Sequence, residues 1–114
     1  MDRHRRRSDR YPFVATAYIT DQRTGSGITA RLGDLSLHGC YIQMTSPLPT
    51  GTKIALHIGA GTSVFRAIGR VIHSHPNHGF GVEFEREQID SSSLAVLEAW
   101  LSEARDLYTS EGVG

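Results

Sequence analysis

Ile28-Thr29-Ala30-Arg31-Leu32-Gly33-Asp34-Leu35-Ser36-Leu37-His38-Gly39-Cys40-Tyr41-Ile42-Gln43-Met44 is the stretch that decides the fold class of this chain. Ile28, Ala30 and Leu32 alternate with Thr29 and Arg31, and Cys40, Ile42 and Met44 alternate with Tyr41 and Gln43. A period of two residues places one set of side chains on a core and the other on solvent, which is the pattern of a half-buried strand. Between the two alternations, Gly33 and Asp34 bend or interrupt the first strand. Asp34-Leu35-Ser36-Leu37-His38-Gly39 reads as a polar turn of the Asx or Ser type ending in glycine.

The same period extends in both directions. Upstream, Pro12 opens an extended segment, and Phe13 to Ile19 alternates as a first strand before the turn cluster Thr24-Gly25-Ser26-Gly27. Downstream, Pro47, Pro49 and Gly51 mark a loop, and Ile54, Leu56 and Ile58 form a fourth strand. Gly59-Ala60-Gly61 turns into a long fifth strand over residues 63–73, where apolar groups lie on both faces and Gly69 predicts a bulge or bend. His75-Pro76-Asn77-His78-Gly79 is a turn, and Phe80, Val82 and Phe84 form a sixth strand. From Asp90 to Tyr108 the period changes. Leu94, Leu97, Leu101, Ala104 and Tyr108 recur every three or four residues, so the spacing predicts an amphipathic helix. Asp90 or one of Ser91–Ser93 caps its start, and Gly112 lies just past its end. Trp100 reads as core rather than contact surface. The prediction is a mainly β domain: a six-stranded antiparallel β-barrel over 11–87, with a C-terminal α-helix at 90–110 packed on it. Residues 1–10 read as a flexible arginine-rich segment.

With 114 residues, 39% of them hydrophobic and 21% charged, the chain has the size and composition of one folded domain. Its formal net charge is zero, but the distribution is uneven. Residues 1–10 carry five arginines against two aspartates, and residues 83–111 carry eight acids against two arginines. Cys40 is the only cysteine, so no internal disulfide forms, which suits a reducing cytoplasm. The apolar stretch after the basic start is too short and too polar for a signal sequence, and no window approaches a membrane span. A cytoplasmic location without membrane insertion is the expectation.

Catalytic chemistry finds little support. Six histidines are present, but His73, His75 and His78 fall around a hairpin turn with no second ligand cluster, so no metal site is expected. Asp34, Ser36 and His38 have the letters of a triad, yet consecutive turn residues do not reach nucleophile–base–orienter geometry. Cys40 sits on an apolar alternation as a small core residue. No phosphate loop or dinucleotide fingerprint is present. The chain reads as a binding module, not an enzyme, and needs no cofactor.

Two constellations remain. One is Arg5-Arg6-Arg7-Ser8-Asp9-Arg10, in which three residues separate Arg6 from Arg10. The other is the D-x-S-x-x-G turn of Asp34, Ser36 and Gly39. Together they resemble the PilZ domain family, bacterial receptors for cyclic di-GMP, whose pattern is R-R-x-x-x-R followed by D/N-x-S-x-x-G. Gly79-Phe80-Gly81-Val82-Glu83-Phe84 is similar to the family's glycine-rich last strand. The resemblance spans about residues 5–85. It implies a six-stranded barrel that binds cyclic di-GMP without turnover. Arg6 and Arg10 would serve as clasp arginines, Arg5 as the leading arginine, Asp34 and Ser36 as contacts to a guanine edge and nearby polar groups, and Gly39 would act through its backbone. Arg7 falls on a variable position, and Arg66 and Arg70 share one strand face that offers either extra positive charge or a solvated exterior.

The chemistry agrees. A guanidinium presents a planar fork to guanine O6 and N7 or to phosphate oxygens, and its face stacks on a base. An ionised Asp34 accepts from the N1–H and N2–H donors of guanine. A flexible arm that orders over the ligand is also a switch, relaying the signal to a downstream protein. Two other readings compete: a PilZ-like adaptor that acts by protein contact without nucleotide, and a barrel for single-stranded nucleic acid. The intact motifs weigh against the first. The scattered tyrosines and the acidic helix weigh against a nucleic-acid polymer.

Overall fold

The computed structural model describes residues 9–113, with side chains described as far as Leu107. Arg5, Arg6 and Arg7, and with them most of the segment expected to be flexible, lie outside the described residues. The elements run β1 (Tyr11–Pro12), β2 (Thr16–Asp21), β3 (Gly27–Leu35), β4 (Gly39–Gln43), β5 (Lys53–Ala60), β6 (Ser63–His75) and β7 (Gly79–Phe84), then a single 3-10 turn (Arg86–Gln88) and α1 (Ser91–Val113). Strands β3, β2, β5, β6, β7 and β4 pair antiparallel in that order, and β4 pairs back onto β3. The result is the expected closed six-stranded barrel, with β1 as an extra strand on β3. Closure removes the free sheet edges that would otherwise invite pairing with another chain.

The inward halves of the alternations fill the barrel. Ile19, Leu35, Ile42, Ile54, Leu56, Ile58, Phe65, Val71, Phe80 and Val82 are all buried. Phe65 and Phe84 pack ring to ring at 5.1 Å. Four local readings are corrected or narrowed. The first strand, expected as Phe13–Ile19, is split. Tyr11 and Pro12 pair with Leu35 and Asp34, whereas Thr16 pairs with Arg31, so the register moves by one residue between them. Phe13 falls in the gap and packs on Trp100, ring centroids 5.1 Å apart.

Second, of the bend or interruption read at Gly33–Asp34, the structure has the bend: β3 runs through to Leu35 with a bulge between Leu32 and Asp34. Third, the irregularity in β6 falls between Val71 and His73, not at Gly69. Gly69 answers a different demand: a Cβ there would lie 2.6 Å from Cγ1 of Val82 inside the barrel. Fourth, the helix continues past Gly112 to Val113.

The start of α1 is fixed by Asp90, whose Oδ1 accepts from the Ser93 N–H and the Ser92 hydroxyl, both at 2.7 Å. These bonds favour the ionised carboxyl and hold Asp90 below the usual carboxylate range. Buried Ser93 in turn accepts from the Arg66 N–H at 3.1 Å, fastening the helix to β6. Leu97, Trp100 and Ala104 face the barrel, so Trp100 belongs to the core as expected. No helix among the described residues is long and apolar enough to cross a membrane.

Candidate ligand-binding site

A β-bulge inserts one residue and reverses which face the following side chains occupy. In β3, Leu32 points into the core, and an unbroken alternation would send Asp34 inward with it. The bulge at Gly33 instead pairs Asp34 with Tyr41, leaving both half-buried on the outer face while Leu35 and Cys40 go in. Asp34 therefore stands on the barrel exterior, next to the point where the N-terminal segment joins β1.

Arg10 meets it there. Its Nη1 donates to Asp34 Oδ1 at 2.8 Å, and the two side chains are 25% and 33% exposed. A partly exposed ion pair of this kind contributes only about 0–1 kcal/mol. It aligns the two groups without locking them, so a ligand with its own donors and acceptors can rearrange the pair at little cost. Among the described residues the Asp34 carboxylate has no second hydrogen-bond partner. A guanidinium carries five N–H donors, so Arg10 keeps most of its fork for other acceptors.

The turn that follows is built from within. Ser36 is buried, and its hydroxyl donates to the Gly39 carbonyl at 3.1 Å while accepting from the N–H groups of His38 (3.3 Å) and Gly39 (3.2 Å). The Ser36 N–H donates to the same carbonyl at 2.8 Å. One donor and two lone pairs are all that a hydroxyl has. The sequence reading gives Ser36 a contact with ligand; in this arrangement its bonds are spent on the turn. Gly39 packs against β7 so closely that a Cβ would lie 2.1 Å from the Val82 carbonyl oxygen. That close backbone approach to β7 leaves no room for a side chain. From outside, Arg86 Nη1 donates to the Leu37 carbonyl at 2.7 Å, and the Phe84 N–H donates to the His38 carbonyl at 2.9 Å. Arg86 escaped the sequence reading because it lies 49 residues from Leu37 in a charged stretch with no periodicity.

Cys40 is fully buried behind this turn. Burial, then the Asp34 carboxylate, push its thiol far up, against a smaller opposing effect of Arg10, so it stays protonated and unreactive. Arg66 and Arg70 do not join the Asp34 cluster. Arg66 sits in register with His57 on β5, and Arg70 lies opposite Glu83 and Lys53. Among the described residues no group of three or more His, Cys, Asp or Glu is placed to hold a metal ion.

The fold has solved counterparts. The PilZ domain of YcgR from Escherichia coli, solved with c-di-GMP, superposes with a TM-score of 0.69 at 19% identity, covering 93% of this chain and 98% of that one. The Bacillus subtilis inhibitor of motility MotI/DgrA gives a TM-score of 0.71 at 16% identity over 90% of this chain and 53% of its own length. The PilZ domain of CeSA from a cellulose-synthesizing bacterium gives 0.61 at 17%, over 81% and 97%. At such identities the likeness is one of fold. No curated protein matches the chain. The PilZ domain model matches residues 4–103, a span that takes in the arginine segment, the bulged strand and its turn, the whole barrel and most of the helix. PilZ domains bind ligands or act as adaptors rather than catalyse, and the family is known for receptors of c-di-GMP. With the match running over nearly its full length, this chain belongs to the PilZ domain family.

Proposed function

We propose that this chain is a receptor for cyclic di-GMP, bound on the outer face where Arg10 meets Asp34, and that it signals by ordering its N-terminal segment. The single observation that carries this reading is the Arg10–Asp34 pair, held on the barrel exterior by a bulge and backed by a rigid turn. Asp34 accepts from the N1–H and N2–H of one guanine, and Arg10 turns its fork to guanine N7 and O6 or to a phosphate. Arg5 and Arg6 supply further forks from the segment ahead of β1. Ser36 and Gly39 keep the turn in shape so that Asp34 stays aimed. Two phosphates and two guanines match a cationic arm next to a carboxylate better than a nucleic-acid polymer would.

The route to a partner starts at the same place. Arg10 is followed directly by β1, and three residues on, Phe13 packs on Trp100 of the helix. A cleft of about 360 Å³, lined by Asp9, Tyr11, Leu37, Glu98, Leu101 and Arg105 among others, lies between β1 and α1. A segment drawn onto ligand moves the groups that touch the helix, and a downstream protein reads the helix surface.

Calorimetry of the full chain with cyclic di-GMP, against GTP, cyclic AMP and single-stranded DNA, tests the reading. Saturable heat with cyclic di-GMP alone, lost in Arg10→Ala and Asp34→Ala at unchanged circular dichroism, is the expected result. No heat at tens of micromolar protein would leave the adaptor reading, in which the domain works by protein contact alone.

A further inference from the structure

The second irregularity in the barrel repeats the device seen at Asp34. In β6, Phe65, Ala67 and Val71 point inward, so unbroken alternation would bury His73 and His75 as well. The slip between Val71 and His73 turns both histidines outward and pairs them with Gly81 and Gly79. Across β7 those two glycines pair with Tyr41 and Gln43 of β4. Two bulges, one in β3 and one in β6, thus aim polar side chains onto one outer face. One row across it reads Asp34, Tyr41, Gly81, His73, and the next reads Arg31, Gln43, Gly79, His75.

Strand β7 puts no side chain on this face at Gly79 or Gly81, so its backbone lies low between rings on either side. The Tyr41 hydroxyl and His75 Nδ1 are 3.2 Å apart, a hydrogen bond whose direction follows the imidazole tautomer. Their rings are 6.1 Å apart and tilted by 30°, and His73 and His75 stack at 6.2 Å. Beside them opens a cavity of about 780 Å³, lined by Arg31, Tyr41, Gln43, Met44, His75 and His78 among others. That volume lies within the range of small-molecule sites, about 300–1,000 Å³. Asp34 does not line it, although Tyr41 connects the two.

We infer that this cavity is a second subsite, in which the guanine of cyclic di-GMP not held by Asp34 stacks on the Tyr41–His75 wall, with Arg31 at its phosphate side. The inference rests on the receptor reading above but adds residues that neither motif contains. A flat π-face flanked by a guanidinium is the chemistry that holds nucleobases. The hydrogen bond between Tyr41 and His75 fixes both rings in advance, which lowers the ordering cost of binding.

Base stacking on one aromatic side chain contributes about 1–3 kcal/mol, or roughly tenfold to a hundredfold in affinity. In calorimetry on the full chain, Tyr41→Leu and His75→Leu should each weaken cyclic di-GMP binding by about tenfold or more. Tyr41→Phe, which keeps the ring and loses only the hydroxyl that fixes it, should weaken binding less than Tyr41→Leu. In the unmutated protein, nuclear Overhauser contacts should join a guanine H8 to the Tyr41 and His75 ring protons, a readout that does not depend on a variant folding. Wild-type affinity in both leucine variants, or absence of those contacts, overturns the subsite while an Asp34-dependent titration leaves the receptor reading standing. No binding of cyclic di-GMP by the wild-type chain overturns both.

Discussion

Ser36 and Gly39 illustrate how a binding motif divides between contact and support. Ser36 spends its hydroxyl on two backbone N–H groups and one carbonyl of its own turn. Removing it leaves buried backbone donors unpaired, a loss of about 1–3 kcal/mol. Ser36→Ala should therefore lower the unfolding free energy from urea titration by that amount, and weaken ligand binding only as far as the turn loosens. Full stability with binding abolished would instead mean that the hydroxyl turns outward to the ligand. Gly39→Ala should be harsher, because its new methyl meets the carbonyl oxygen of Val82, a backbone atom in a paired strand that has no room to yield. A loss of about 3 kcal/mol, the upper end for overpacking, is expected in the same urea titration.

Strands and helix were legible in the sequence for plain reasons. Alternation in 28–32, 40–44, 54–58 and 80–84 follows from one buried and one solvated face, and the helix repeat follows from its apolar stripe against the barrel. What the period could not locate were its own breaks. The slip at Ile72 leaves no glycine as a marker, whereas Gly69, which looked like one, is small because Val82 crowds it. Phe13 read as part of a strand because it alternates, yet Trp100, far along the chain, decides where it goes. Asp34 and Arg10 could be chosen by their resemblance to the family's paired motifs, but their pairing on the outer face depends on the bulge. Tyr41 and His75 carried no signal beyond a parity argument that requires knowing the register. At the helix start, Asp90 is held below the usual carboxylate range by its bonds to Ser93 and Ser92. A carboxyl whose folded pKa is lowered stabilises the fold above its unfolded pKa, and that stabilisation is lost as the pH falls through the folded value. Thermal melts should thus show wild type losing its advantage over Asp90→Ala in acid and keeping it at neutral pH. An advantage that persists undiminished in strong acid would mean that the cap acts without its charge.

For the whole molecule, the zero net charge joins a cationic arm to an acidic C-terminal region. Coulomb attraction of the arm for a dianionic ligand acts through solvent and is screened at about 8 Å under physiological salt. Deleting residues 1–8 removes Arg5 and Arg6 and leaves every described strand in place, the first of them β1 at Tyr11. The truncated chain should melt with the wild type and bind cyclic di-GMP far more weakly in calorimetry; a lowered melting temperature would give the segment a structural role instead.

The same geometry supplies a reporter for the relay. Trp100 is the only tryptophan, buried under the helix with Phe13 against its ring. Phe13 lies three residues beyond Arg10, and a short β1 of two residues is all the regular structure between them. If ligand recruits Arg10 and the residues before it, the strain passes along β1 to Phe13 before it reaches any other part of the helix interface. Emission from Trp100 should then change on titration with cyclic di-GMP, with the same midpoint as the calorimetric curve. Arg10→Ala should abolish the change along with the binding, and Phe13→Leu should mute it while binding persists. Tight binding with an unaltered Trp100 spectrum would mean that the signal leaves through the arm itself, and that the helix is a fixed buttress of the barrel.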